Sequence, residues 1–71
     1  MEVFTLKPDE EYIEMNQLLK VMTYVQSGGH AKIVIEDGLV KVNGEQEFRK
    51  RRKMRAGDIL EIEDKKVVVK S

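Results

Sequence analysis

Arg49-Lys50-Arg51-Arg52-Lys53-Met54-Arg55 places six cations in seven positions of a 71-residue chain whose formal net charge is zero. Crowding like charges costs repulsion that a ligand of opposite sign relieves. A polyanion such as nucleic acid is the matching partner, because each neutralised phosphate releases condensed counterions. A solvated basic loop with no partner leaves the same signature, and the run alone does not separate the two. The charge is localised. Residues 1–31 hold two of the thirteen Lys/Arg (Lys7, Lys20) against five acids, and residues 32–71 hold the other eleven against eight. Such a patch suits a partner held in one orientation.

Ser27-Gly28-Gly29-His30-Ala31-Lys32 is the second stretch with chemical potential. Serine is a strong helix N-cap, and glycines behind it leave backbone N–H groups open to a phosphate, aided by the helix dipole. Lys32, one turn in, lies on the exposed side and extends such an anion site. The same glycines are also explained by a tight loop-to-helix turn that needs glycine dihedrals. His30 has no second histidine and no nucleophile beside it. It reads as a surface or RNA-facing imidazole, not as a catalyst or metal ligand. Asp9-Glu10-Glu11 reads as a solubilising loop, not as an acid–base pair.

Composition narrows the classes further. With no cysteine, disulfides, Cys-based zinc sites and thiol catalysis are excluded. No convergent catalytic set is visible and a chain this short leaves little volume for a substrate pocket, so no enzyme, metal or cofactor is expected. No apolar run approaches the ~20 residues of a membrane span, and Met1-Glu2-Val3-Phe4 does not open a signal peptide. The expectation is one cytoplasmic domain over residues 1–71.

The elements that must position these residues follow from periodicity. Glu2 to Leu6 alternates as a short strand, stopped by Lys7-Pro8-Asp9. Met15, Leu18, Leu19 and Met22 recur at i, i+3, i+4 and i+7, which predicts a helix over 14–22. Thr23 to Gln26 is a connector, where Tyr24 could stack on a base but a single tyrosine in a short loop is more often packing. A second helix is predicted from Gly28 to Asp37, burying Ala31, Val34 and Ile35 and stopped by Gly38 at C′. Leu39 to Phe48 is a hairpin around a type I′ Asn43-Gly44 turn, with Val40 and Val42 inward and Lys41 in solvent. If the basic run stays extended, Phe48 and Met54 share one face and Arg49, Arg51, Lys53 and Arg55 the other. Ala56-Gly57-Asp58 turns the chain into a strand over 59–62. Asp64-Lys65 turns it again into a closing strand, Val67 to Val69.

Met15-Asn16-Gln17-Leu18-Leu19, the Ser27 to Lys32 stretch, Asp37-Gly38, Val40-Lys41-Val42-Asn43-Gly44 and Arg55-Ala56-Gly57-Asp58 stand in this order over residues 13–64. Together they resemble the alpha-L motif, the small RNA-binding module also called the S-four domain. Within that family the chain is similar to the free-standing bacterial YaaA/YbcJ-like members, which share the form of Gln26 to Lys32 and a cluster like Arg49 to Lys53. The resemblance implies an α+β fold, two short helices packed on a small, mostly antiparallel sheet. It also implies that the second helix, its N-terminal approach and the basic segment form an RNA-facing surface. By this analogy Gly28, Gly29, Lys32, Lys41, Arg49, Arg51, Arg52 and Lys53 carry over, and His30, Lys50 and Arg55 lie in the same stretches. The expected function is non-catalytic binding of structured RNA, ribosomal or transfer, by a ribosome-associated monomer. The alternative is a protein-interaction module that docks the basic patch on an acidic partner.

Overall fold

Val40 and Val42, Leu60 and Ile62, Val67 and Val69 take alternate positions along three strands, and all six are buried. In the computed structural model, which describes residues 1–71, these strands form the centre of a five-stranded sheet. The elements in chain order are β1 (Glu2–Thr5), β2 (Ile13–Glu14), α1 (Met15–Val21), α2 (Gly28–Glu36) and β3 (Val40–Val42), then β4 (Glu45–Gln46), β5 (Lys53–Met54), β6 (Ile59–Ile62) and β7 (Lys65–Lys70). The main sheet runs β1-β7-β6-β3-β4, antiparallel except for the parallel β1–β7 pair. A separate two-stranded ladder joins β2 and β5, with Ile13 opposite Met54 and Glu14 opposite Lys53. The α+β arrangement expected from the sequence is the one found.

The helices supply the other half of the core. Met15, Leu18 and Leu19 of α1 and Ala31 and Ile35 of α2 are almost wholly buried, in one cluster with the inward strand residues. Ser27 caps α2, its hydroxyl accepting the His30 N–H at 3.1 Å. Asp37 and Gly38 end the helix, and Gly38 takes φ +75°, a conformation in which a side chain is strained. Asn43 and Gly44 both have positive φ, as a type I′ turn requires.

Helix α1 starts differently from α2. Glu14 occupies its N-cap position without a side-chain cap, and its first turn holds no acid. The Met15 and Asn16 N–H groups donate instead to the carbonyls of Arg52 and Lys50, at 2.8 and 2.9 Å. These are donors that no helix can satisfy internally. The main chain of the basic run therefore closes the start of α1. This is why the run does not stay extended, contrary to the alternating reading. It folds through a turn at Lys50-Arg51, with the Arg52 N–H on the Arg49 carbonyl at 3.1 Å, and regains strand geometry only at Lys53–Met54. Phe48 and Met54 part company accordingly: Met54 is fully buried and Phe48 is 57% exposed.

A pair of glycine substitutions tests the α2 termini. A Cβ at Gly38 would meet the Gln46 amide nitrogen at 2.8 Å, and the same amide donates to the Gly38 carbonyl. Gly38→Ala should cost about 1–2 kcal/mol in urea unfolding, from the left-handed backbone alone. Gly28→Ala, with nothing within 4 Å of the new Cβ, should be neutral or stabilising by about 0.4–1 kcal/mol. Equal stability of the two variants would contradict this account.

Candidate nucleic-acid interface

Glu47 lies one residue beyond β4, and its side chain is 9% exposed. One carboxylate oxygen accepts the Phe48 and Arg49 N–H groups, at 3.0 and 3.1 Å, and the Arg49 Nε at 3.1 Å. The other accepts Arg49 Nη2 and Arg52 Nη1, both at 2.9 Å. Arg49 thus grips the carboxylate with both prongs of its fork, a geometry lysine cannot reproduce. The hydrogen bond from the Arg49 side chain, outweighing the opposing effect of burial and joined by Arg52, holds the Glu47 pKa at about 2, below its ordinary 4.5. Reciprocally, Glu47 raises that of Arg49. With Phe48 and Arg49 N–H groups committed to Glu47, the segment after β4 has no free donors there for a further ladder.

The far end of the basic segment is held by a second carboxylate. Asp58 accepts the Arg55 N–H at 2.8 Å and the Asn43 side-chain N–H at 3.1 Å, while the Asn43 side-chain oxygen Oδ1 accepts the Ile59 N–H. The Asn-Gly hairpin and the Gly57 turn are therefore tied together. Between the two anchors the side chains of Arg49, Arg51, Arg52 and Lys53 line an open concavity of about 590 Å³ to which no hydrophobic residue contributes. Glu47 is the only carboxylate paired with this segment, and it takes Arg49 and Arg52. Lys50, Arg51, Lys53 and Arg55 form no ion pair, so four of the six cations of the segment are left unpaired. Arg49 keeps 75% of its side chain exposed even while paired. Lys53 Nζ and Arg55 Cζ stand 5.1 and 5.5 Å from the centre of the Tyr12 ring.

The other sequence-predicted positions lie elsewhere. Gly28, Gly29, His30 and Lys32 are exposed at the N-terminal end of α2 and do not line the arginine concavity. At the opposite end of that helix the Phe48 ring lies against Gly38. Neither Gly28 nor Gly29 has a positive φ, and both lie within α2, so no tight turn accounts for that pair. Their space is open instead. The His30 ring is turned onto the preceding connector, Nδ1 accepting the Gln26 backbone N–H at 3.2 Å. Lys41 is exposed on β3 directly across from Glu61, in a shallow cleft with Gly38, Leu39 and Glu63. Glu47, Asp58 and Tyr12 were not legible as site residues. Glu47 left a signal as an acid two residues before the first arginine, and Asp58 as the acid of the Gly57-Asp58 turn.

A short α+β module with a conformationally fixed, uncompensated basic segment between β4 and β5 is the class that fold and site define. Residues 6–70 match the S4 domain family, and the chain belongs to that family. It is 44% identical over 55 residues to the probable ribosome maturation protein RlbA of Bacillus subtilis (strain 168), covering 78% of each chain. Over 46 residues it is 48% identical to YbcJ of Escherichia coli (strain K12), covering 65% of this chain and 66% of YbcJ. The solution structure of E. coli YbcJ, which reveals an alpha-L motif involved in RNA binding, superposes with a TM-score of 0.75 at 38% identity. That match covers all of this chain and 89% of YbcJ.

Glu47 makes a testable link between site and stability. Its folded pKa lies below the ordinary value, so its contribution is complete above about pH 4.5 and is lost as pH falls through about 2. Glu47→Gln should lower stability at pH 7 by about 1.5–3 kcal/mol. Its deficit against the parent protein should shrink between those two pH values, read by urea unfolding at pH 7, 4 and 2.5. A pH-independent deficit would show that the carboxylate charge is not what holds the arginines.

Proposed function

We propose that this chain is a non-catalytic RNA-binding protein that holds structured RNA by its phosphates. The observation that carries the reading is the concavity between Glu47 and Asp58, where arginines and lysines outnumber carboxylates and are held by the backbone before any ligand arrives. Arg49, Lys50, Arg51, Arg52, Lys53 and Arg55 are the primary contacts. Fixing cations in advance reduces the ordering cost of binding. Gly28, Gly29, His30, Lys32 and Lys41 are outlying contacts that a folded RNA of sufficient extent reaches at the same time. Residues 1–71 act as one binding module and as a monomer.

The relatives support this reading in kind. An alpha-L motif involved in RNA binding is what the YbcJ structure reveals, and ribosome maturation is the role in the name of RlbA. Ribosomal RNA, or a transfer RNA of similar compactness, is accordingly the proposed partner class, met in the cytoplasm during ribosome assembly. No helix is long and apolar enough to cross a membrane. Docking of the same patch on an acidic protein surface draws no comparable support from the relatives. Recognition through phosphates and shape, with few base contacts, is the mode suited to folded RNA.

The test uses cations that carry no structural duty. Lys50 and Arg51 sit at the turn and are unpaired, whereas Arg52 braces Glu47. Lys50→Glu with Arg51→Glu should leave the melting temperature nearly unchanged and weaken binding to a ribosomal RNA fragment at least tenfold. For the parent protein, neutralising about 4–6 phosphates gives a log–log salt slope near −3 to −5. The double variant should show a shallower slope. Equal affinity and equal slope in a filter-binding or fluorescence titration would refute the assignment.

A further inference from the structure

The two tyrosines have different standing. Tyr24 packs against the core cluster and its hydroxyl donates to Glu2; burial first, and then Glu2, push its pKa up. Tyr12 is outside the core cluster and outside the partly buried residues that pack on it, and 36% of its surface is exposed. It immediately precedes β2, whose antiparallel register with β5 brings it beside Lys53 on that strand and Arg55 just beyond it. Met54 between them points inward and is fully buried. Lys53 and Arg55 therefore project outward on the same side, and both head groups stand within 5.5 Å of the ring centre. Lys53 is also a wall of the arginine concavity. A single side chain thus joins a phosphate-binding surface to an accessible aromatic ring.

A nucleotide has the same composition: a phosphate and a flat π-system on one flexible backbone. We infer that Tyr12, with Lys53 and Arg55, is a stacking site for one unpaired nucleobase at the border of the phosphate-binding concavity, an inference that rests on the RNA-binding reading above. In a continuous duplex the bases are stacked on each other and cannot reach a protein ring. A bulged or loop nucleotide can. Stacking on an aromatic side chain tolerates any base, and neighbouring cations strengthen the contact with the nucleotide. Phe48, the other exposed aromatic near the basic segment, lies against Gly38 and has no cation on its ring, so it does not offer the same platform. The site selects for an RNA element in which a phosphate tract and an extruded base lie side by side. The substrate class is thereby narrowed from structured RNA in general to helices interrupted by a bulge or loop.

The experiment compares two hairpin RNAs that differ only in a single bulged 2-aminopurine, titrated with the full chain and with its Tyr12→Leu and Tyr12→Phe variants. The parent protein and Tyr12→Phe should bind the bulged hairpin more tightly than the paired one and quench the 2-aminopurine fluorescence. Tyr12→Leu should lose about tenfold in affinity for the bulged hairpin, lose the quenching, and bind the paired hairpin within twofold of the parent. Equal losses on both hairpins would mean that Tyr12 only orients Lys53 and Arg55, and would overturn the stacking site while leaving RNA binding intact. No loss on either hairpin would overturn it as well. Failure of the parent protein to bind either RNA would overturn the RNA-binding reading together with this one.

Discussion

A buried carboxylate surrounded by arginines is the constraint on which the rest of this molecule turns. Charged groups are costly to remove from water unless their hydrogen-bonding capacity is met. Glu47 meets that condition with two backbone donors and two guanidinium groups. The consequence is structural before it is functional. The chain after β4 cannot continue as a strand, turns at Lys50-Arg51, and delivers the Lys50 and Arg52 carbonyls to the open end of α1. One anion thus sets the path of the basic segment, and that path in turn completes a helix whose own sequence lacks a capping side chain.

This arrangement reconciles two demands that compete in a chain of zero net charge. Binding a polyanion favours many uncompensated cations, while folding favours few, because they repel. Here a single carboxylate neutralises part of the repulsion from the buried side and leaves the solvent side positive. Arg49 illustrates the division, held through its fork yet largely exposed. The cost is spread further by Tyr12, whose ring sits beside Lys53 and Arg55. Of the acids in residues 1–31, Glu2 holds Tyr24 and Glu10 closes a local turn on the Lys7 N–H, while Glu14 lies across the β2–β5 ladder from Lys53.

The glycine pair at the start of α2 does not line the arginine concavity, and the Phe48 ring lies against the other end of that helix, at Gly38. A ligand seated in the concavity alone is held by Arg49, Arg51, Arg52 and Lys53, none of them from α2.

Local order fixed much of what was legible beforehand. The stripe of Met15, Leu18 and Leu19, the Ser27 cap, the Gly38 stop, the Asn43-Gly44 turn and the inward valines each express a preference between near neighbours, and each is found as read. The composition of the basic run, and the family to which the whole pattern belongs, were likewise readable in order and spacing. What tertiary structure alone decided was how that run is bent and which cations remain unpaired. Those outcomes depend on contacts across the fold: Met15 and Asn16 with Arg52 and Lys50, Asn43 with Asp58, Tyr12 with Lys53 and Arg55. A residue pattern records its own periodicity, whereas pairing between distant groups is settled only when the chain has closed on itself and each buried donor has found its acceptor.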